Sequence, residues 1–516
     1  MNAWRRSRFF HFDVAVVSIV AVLIIGFSLA SAGAGGDTGS PSPNATAVTI
    51  DPGRGDPAVP RGFLGLSIEY PALEAYAGTD PSALDPVFEQ LVRNLAPGQA
   101  PVLRIGGNSA DRTWWPVAGV SRPPGVTFDI TPQWLKVTHA LTQNLGARLI
   151  LGVNLEQDSP QLAAAEAHAL INGVGEQSVR ALELGNEPDL YSAFSWYRSD
   201  GHAVFGRPRS YDESEYISDW GGLSGALPRV PLAGPSLSGR QWTQGLGQFL
   251  AAEPNLGLVT LHRYPLQVCM TPRTSARYPT IARLLSPATS TELADSFAPY
   301  VALARAHGLS LRVDELNTVS CGADPAVSKS FASALWVLNT LFGLAKAGVS
   351  GVNIHTFPGA GYELFRIAQT GATWSAAVSP EYYGMLLFAR ATPPGSHLLS
   401  VGPTGIAGVN AWATRGTDGT VRVVLTNESN ASQTLAIHMP GKFESSTLAR
   451  LEAPSPSATS GVTLGGQTFG AQTTTGRLAG PADQASVSGD DGRYPVTLPA
   501  GSAAMLVLSP RDSGHR

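Results

Sequence analysis

The sequence predicts an α/β fold: a (β/α)8 TIM-type barrel followed by a C-terminal all-β sandwich domain. Three observations predict it. Eight short apolar runs alternate with helix-like segments through most of the chain. Two of those runs deliver a glutamate at their C-terminal end, Glu187 and Glu315. Beyond about Leu398 the long helical patterns stop, and short alternating strands separated by turns replace them. Strands alternating with helices make parallel βαβ units, and eight such units are what a closed barrel requires.

Taken in order, the chain opens with Arg5, Arg6 and Arg8, then an apolar run from about Val14 to Ala30 and the A-x-A triplet Ala30-Ser31-Ala32. Residues 1–32 therefore read as a signal peptide, with an uncleaved membrane anchor as the alternative. In either case the folded part is expected outside the cytoplasm. Residues 33–47 are rich in Gly, Ser and Pro and read as a flexible linker. Residues 48–62 are expected to hold a strand that joins the β domain. The barrel is expected over 63–380. Its strands are placed at 63–70, 102–106, 148–154, 180–185, 230–233, 258–262, 309–313 and 351–355. Helices are placed between them at 86–95, 132–144, 161–172, 290–307 and 328–347. The β domain follows over 381–516, with strands at 408–413, 421–427, 433–438, 446–451 and 503–508. Asp418-Gly419 supplies a hairpin turn between two of them.

Composition narrows the function. Charged residues are 14% of the chain and hydrophobics 43%, with 56 Gly and 39 Pro, which is globular and loop-rich rather than disordered. Net charge is −4, and about −6 once Arg5, Arg6, Arg8 and Asp13 leave with residues 1–32. No basic field is available to hold nucleic acid. Cys269 and Cys321 are the two cysteines. An exported chain can pair them, and two free thiols are the alternative.

In a parallel barrel the active site lies at the C-terminal ends of the strands. Polar residues gather at that height. Glu69 ends the first strand; Asn108, Ser109 and Asp111 follow the second; Asn186 and Glu187 follow the fourth. His262 and Tyr264 end the sixth, Glu315 the seventh, and His355 the eighth, with Tyr362 beyond. His262 or His355 alone could be a satisfied core histidine; the ring of polar residues is the signal. Alternation along the seventh strand puts Leu311, Val313 and Glu315 on one face and Arg312 and Asp314 on the other. If the apolar pair fills the barrel, Glu315 points to its mouth and Asp314 does not. A pair of strand-end carboxylates suggests glycoside hydrolysis.

Gly185-Asn186-Glu187-Pro188 and Glu315 resemble the acid/base and nucleophile motifs of retaining (β/α)8 glycosidases. More narrowly, Leu103-Arg104-Ile105-Gly106-Gly107-Asn108-Ser109, Leu261-His262-Arg263-Tyr264-Pro265 and Asp314-Glu315-Leu316-Asn317 resemble glycoside hydrolase family 79, which holds β-glucuronidases and heparanases. The resemblance covers about residues 60–510. It implies Glu187 as acid/base, Glu315 as nucleophile, Asn186 on the sugar 2-hydroxyl and Tyr264 beside Glu315. It implies a uronate pocket at Tyr264, Tyr362 and the backbone of Ser320-Cys321-Gly322, although Ser320 stands where close relatives carry a tyrosine. Glu69, Asn108, Asp111, His262 and His355 would serve the remaining contacts.

The expected substrate is a glucuronic-acid-containing glycan or glycoside, with no cofactor and no metal. A retaining exo-β-glucuronidase is the first reading. An endo-acting heparanase-like or xylanase-type enzyme is the second, and a non-catalytic carbohydrate-binding protein the third. The segment 191–220, with Trp196, Tyr197, Tyr211 and Tyr216, could wall one end of the cleft or stack sugars. Strand order places the loops carrying Cys269 and Cys321 side by side, after strands six and seven, so a disulfide is expected between them.

Overall fold

The computed structural model describes residues 45–53, 57–441 and 443–510. The expected signal or anchor segment, and the linker up to residue 44, lie outside the described residues. Among the described residues, eight parallel strands close into a barrel. They are Leu64–Glu69, Val102–Gly106, Arg148–Val153, Val179–Leu184, Leu232–Leu237, Leu256–Arg263, Leu311–Leu316 and Gly351–Thr356. The ring closes where the eighth strand pairs with the first, His355 opposite Ser67.

Several barrel helices start the same way. Asp85, Thr131 and Ser159 each accept a backbone N–H from the first turn of Pro86–Leu95, Pro132–Leu145 and Pro160–Val174, with proline in the first position. A capping oxygen satisfies an orphan N–H, and the proline has no N–H to leave unpaired. The long helix after the seventh strand, Phe331–Lys346, is buried through almost its whole length. It lies between the barrel and the β domain. There Asn339 donates to Glu428 Oε1 (3.0 Å) and accepts from Trp412 Nε1 (2.9 Å), and Phe342 stacks on Trp412.

Two expectations need correction. The barrel does not end at 380: helix Pro380–Ala391 belongs to it, and Tyr382 Oη donates to the carbonyl of Leu91 (2.6 Å) on the first long helix. On the seventh strand the two faces lie opposite to the expected sense. Leu311 and Val313 pack outward in the main apolar core with the helices. Arg312 and Asp314 point inward, Arg312 to Asn353 and to the carbonyls of Gly62, Phe63 and Val352, Asp314 towards Arg104. Glu315 also reaches the barrel mouth, because the pairing register with both neighbouring strands shifts around it. An irregular strand, not simple alternation, delivers it.

The β domain is one ten-stranded sheet that curls over. Strand Thr46–Asp51 lies within it, antiparallel to His397–Val401 and parallel to Gln433–His438; Thr46 and Ala47 are thus in a strand rather than a linker. Val48, Ile437, Val496, Val423 and Leu506, from both halves of the sheet, share one core, as in a sandwich. Val424 and Met505 face the other way, into the core that includes the barrel helices. No helix among the described residues is long and apolar enough to cross a membrane.

Candidate active site

The site is built on a buried arginine. Arg104, fully buried on the second strand, points into the barrel. Its Nε meets Glu183 Oε2 (2.6 Å), its Nη1 meets Glu315 Oε2 (2.6 Å) and Ser67 Oγ (3.1 Å), and its Nη2 donates to Asn186 Oδ1 (2.9 Å). A planar fork of N–H donors can hold groups from three other strands in one geometry, which an ammonium group cannot. After the second strand the chain turns at Gly107, where a Cβ would lie 2.5 Å from Glu69 Oε1. That close approach lets the N–H groups of Asn108 and Ser109 donate to Glu69 (3.2 and 2.7 Å).

The fourth strand ends at Leu184, and Glu187 takes a left-handed backbone conformation (φ 51°). Non-glycine residues rarely adopt it, and where they do the surroundings must hold them there. Here the Glu187 N–H donates to the carbonyl of Ser236 (3.1 Å), and Asn186 N–H donates to Asp111 Oδ2 (2.8 Å). Asn186 Nδ2 donates to Asn108 Oδ1 (3.1 Å). His262 Nδ1 lies 3.2 Å from Glu187 Oε1. Tyr264 Oη donates to Glu315 Oε1 (2.8 Å). His355 Nδ1 lies 3.9 Å from Glu315 Oε2, and its Nε2 lies 3.5 Å from Glu69. One oxygen of Glu187, one of Glu315 and a nitrogen of His262 all lie within 4.8 Å of one another.

The two glutamates have opposite electrostatic settings. Burial pushes the Glu187 carboxyl above the usual range; the His262 contact pulls it down in part, and the Glu315 charge raises it further. Burial acts on Glu315 too, but the charges of His355, His262 and Arg104 and the Tyr264 hydroxyl outweigh it and hold its carboxylate well below the usual range. Below the pair, burial and the neighbouring Glu183 charge push Asp314 well above its ordinary range. One acid favours its protonated form and the other its anion, the division of labour paired carboxylates need.

The structure brings Glu69, Asn108, Asn186, Glu187, His262, Tyr264, Glu315 and His355 together. Tyr362 joins them, its ring centroid 6.0 Å from Tyr264 and 5.8 Å from His355. Asp111 is a correction. It is buried, and its two oxygens accept from the N–H groups of Leu155, Glu156 and Asn186 and from Tyr191 Oη. With about four lone-pair positions filled it has none for a sugar; it positions Asn186. Arg104, inside the Leu103–Ser109 motif, is a site residue that the sequence reading misses. The signal for it was a charged residue in the middle of an apolar strand.

Cys269 and Cys321 form a disulfide, with Cα atoms 5.8 Å apart. Beside it, Leu266–Gln267 pairs with Val319–Ser320 as a short parallel ladder. Cys321, Gly322 and Ala323 all have positive φ. A Cβ on Gly361, next to Tyr362, would lie 2.9 Å from the carbonyl of Gly322, so this turn packs directly on the Tyr362 segment. Thiol titration of denatured, unreduced protein is expected to find no free thiol; two per chain would refute the bond.

Comparison with known proteins agrees with this architecture. The family model for the glycosyl hydrolase family 79 C-terminal β domain matches residues 409–505. No curated protein sequence matches the chain. Among solved structures, a 4-O-α-L-rhamnosyl-β-D-glucuronidase from Fusarium oxysporum 12S is similar at TM-score 0.69 and 20% identity, covering 90% of this chain and 99% of that one. A family 51 arabinofuranosidase from Xanthomonas axonopodis pv. citri is similar at TM-score 0.62 and 17% identity, covering 90% and 100%. A family 30 subfamily 8 xylanase from Clostridium acetobutylicum is similar at TM-score 0.52 and 13% identity, covering 90% and 99%. These likenesses describe the fold, and the family 79 match lies within the C-terminal β domain.

Proposed function

We propose that the chain is an exo-acting β-glucuronidase that releases terminal β-glucuronic acid with retention of configuration. The observation that carries the mechanism is the close carboxyl pair with opposed pKa shifts. Oxygens of Glu187 and Glu315 within 4.8 Å suit the separation of about 5–5.5 Å used for double displacement, not the roughly 6.5–9.5 Å that leaves room for water. Glu315 attacks the anomeric carbon as an anion while Glu187 gives its proton to the leaving oxygen. Water then attacks the glycosyl-enzyme as Glu187 takes a proton back, freeing Glu315. Asn186, held by Arg104, Asn108 and Asp111, would bond the 2-hydroxyl.

For the sugar carboxylate the proposed contacts are Tyr362 and the backbone of Ser320-Cys321-Gly322. Consecutive N–H groups in an unusual turn suit an anion. The glucuronide specificity in the name of the Fusarium enzyme supports the same choice for this chain. The disulfide supports an oxidising compartment, hence export, with membrane attachment only if residues 1–32 remain as an anchor.

The test is a comparison of aryl β-glucuronide, β-glucoside and β-xyloside. Glucuronide is expected to be cleaved fastest, with the β-anomer as the first product by NMR; an α-anomer first would sink the mechanism. Tyr362→Phe is expected to cost glucuronide turnover about 10–100-fold, the worth of a hydrogen bond to a charged group, and to spare glucoside. Tyr264→Phe should cost all substrates alike, because its hydroxyl serves Glu315. This narrows the sequence expectation, which gave both tyrosines to the carboxylate. Equal losses on both substrates in Tyr362→Phe would remove it from the uronate pocket.

A further inference from the structure

Of the aromatic residues in the segment 191–220, Tyr211 and Tyr216 are buried against Trp242 and offer no ring to a sugar. A different surface stays open. A groove of about 800 Å³ lies where the barrel meets the β domain. Its barrel wall holds Pro325 and Ala326 of the short helix Pro325–Ser328, then Lys329, and Glu363 and Arg366 beyond the eighth strand. Its other wall is the β-domain loop at residues 459–462 and 470–471. Ligand sites favour such domain junctions and span about 300–1,000 Å³.

Both walls are fixed. The N–H groups of Phe331 and Ala332 donate to the carbonyls of Ala458 and Pro456 (2.8 Å each). Ala376 and Thr473 exchange both backbone hydrogen bonds (2.8 and 2.9 Å), and Phe469 N–H donates to Tyr383 Oη (2.8 Å). The β-domain loop is tied to the barrel at these three places, so the groove needs little ordering to receive a ligand. The charged residues lining it are Lys329, Glu363 and Arg366. Glu363 is buried, and both cations approach the same oxygen, Oε2, Lys329 at 3.6 Å and Arg366 at 3.4 Å. Those distances exceed the roughly 2.7–2.9 Å of a full charge-assisted bond. Among the described residues no further hydrogen bond or ion pair engages either cation. Two cations against one carboxylate leave the groove with a surplus positive charge, on a chain whose net charge is −4.

We propose that this groove is a second, non-catalytic carbohydrate site, which holds a short uronate oligosaccharide with its carboxylates on Lys329 and Arg366. The choice of uronate rests on the glucuronidase reading; the groove and its charge do not. An inorganic anion would fill only a small part of the volume. Tyr383 and Val462 line the groove but are buried, and the exposed large hydrophobics Val120, Phe194, Phe205 and Met270 all lie elsewhere. The groove therefore lacks the aromatic or aliphatic anchor that a peptide partner uses. Beside the cations it offers hydroxyls and open backbone, with Thr459, Ser460, Gly461 and Gly470 all exposed. Acidic, hydroxyl-rich rings match that set, and a guanidinium fork suits a carboxylate. The groove also shares a wall with the catalytic mouth. Glu363 directly follows Tyr362, and Pro325 packs on Gly361, where a Cβ would lie 3.3 Å from the proline Cγ. A glycan held there stays close to the pocket that cleaves its termini.

The test titrates a glucuronic-acid trisaccharide calorimetrically into Glu315→Gln, where binding is not followed by turnover, and counts the sites. Adding Ser460→Trp, an exposed change that fills the groove and leaves Glu363 with both cations, is expected to remove one site per chain. Adding Arg366→Gln instead is expected to weaken that site about tenfold, the effect of one hydrogen bond to a charged group. Arg366 is 70% exposed, so this variant reads the site even if the tryptophan disturbs packing. With Glu315 restored, each change should leave aryl glucuronide turnover within about twofold of wild type, as surface substitutions do. Neutral xylotriose and a triglutamate peptide should each bind the groove about tenfold more weakly than the uronate, one lacking the charge and the other the hydroxyls. A site count unchanged by Ser460→Trp, an affinity unchanged by Arg366→Gln, or equal binding of the neutral sugar or the peptide would each overturn the proposal. If wild type cleaves no glucuronide, the glucuronidase reading falls by itself, while the titration still decides whether the groove binds.

Discussion

Glu315→Gln is expected to lower kcat on any cleaved β-glycoside by about four orders of magnitude or more, the scale of losing a covalent nucleophile. The substitution keeps the volume and an acceptor for Tyr264 Oη, now 2.8 Å from Glu315. The amide cannot form the glycosyl-enzyme, so the chemistry fails while the site stays filled. Glu315→Ala with azide should return α-glycosyl azide, because azide then attacks from the vacated face. Glu187→Ala with a good aryl leaving group should accumulate glycosyl-enzyme and return β-glycosyl azide. Exchange of these two products would exchange the assigned roles. The pH profile gives an independent reading. Activity requires Glu187 protonated and Glu315 ionised, so it is lost as pH rises through the raised Glu187 pKa and persists well into acid because Glu315 sits low. In Glu315→Gln the neighbouring negative charge is gone, so the alkaline limb of the residual activity should move to lower pH. Retention of more than a tenth of wild-type kcat would end this reading of Glu315.

The barrel was legible because each strand is a short apolar run and each ends near a polar residue. Only edges moved: the fifth strand, expected at 230–233, is Leu232–Leu237, and the seventh, expected at 309–313, is Leu311–Leu316. Which face of a strand meets the lumen was not legible. Alternation separates two faces without naming them. In this barrel the apolar faces of Leu103, Ile105, Leu311 and Val313 pack with the helices, while Arg104, Arg312, Asp314 and Glu183 fill the interior. The irregular register that turns Glu315 inward leaves no mark in composition. Asp111 could be placed at the mouth but not oriented, since nothing in its neighbours' identity tells a sugar ligand from a carboxylate that satisfies three backbone N–H groups. The disulfide was legible for a different reason: strand order alone makes the loops after strands six and seven neighbours.

Arg104→Met should be the most destabilising single change in the barrel interior. Arg104 is fully buried and lies 2.6 Å from Glu183, 2.6 Å from Glu315 and 3.6 Å from Asp314. Methionine fills much of the volume but leaves these carboxyls without their shared cation. Removing one partner of a buried ionic group costs about 3–5 kcal/mol, far more than the pair adds over an apolar replacement. The pH dependence separates this cause from poor packing. Burial would raise Glu183, yet Arg104 and its other partners hold it at about 2. A carboxylate depressed in the folded state contributes stability above its unfolded pKa of about 4.3 and loses it as pH falls to the folded value. Wild type therefore loses this contribution between about 4.3 and about 2, whereas in Arg104→Met the carboxyls take up protons at higher pH. The stability gap between the two proteins, measured by urea unfolding, should be largest near neutrality and shrink on acidification. A packing defect would keep the gap constant with pH. Because Arg104 also helps keep Glu315 ionised, the acid limb of any remaining activity should move to higher pH. Arg104→Lys should recover part of the stability through its charge, but less of the activity, since one ammonium cannot reach Glu183, Glu315 and Asn186 in the geometry the guanidinium fork holds. A pH-independent loss of under about 1 kcal/mol, well below the cost of breaking a buried pair, would show that the arginine is filler rather than the centre of the site.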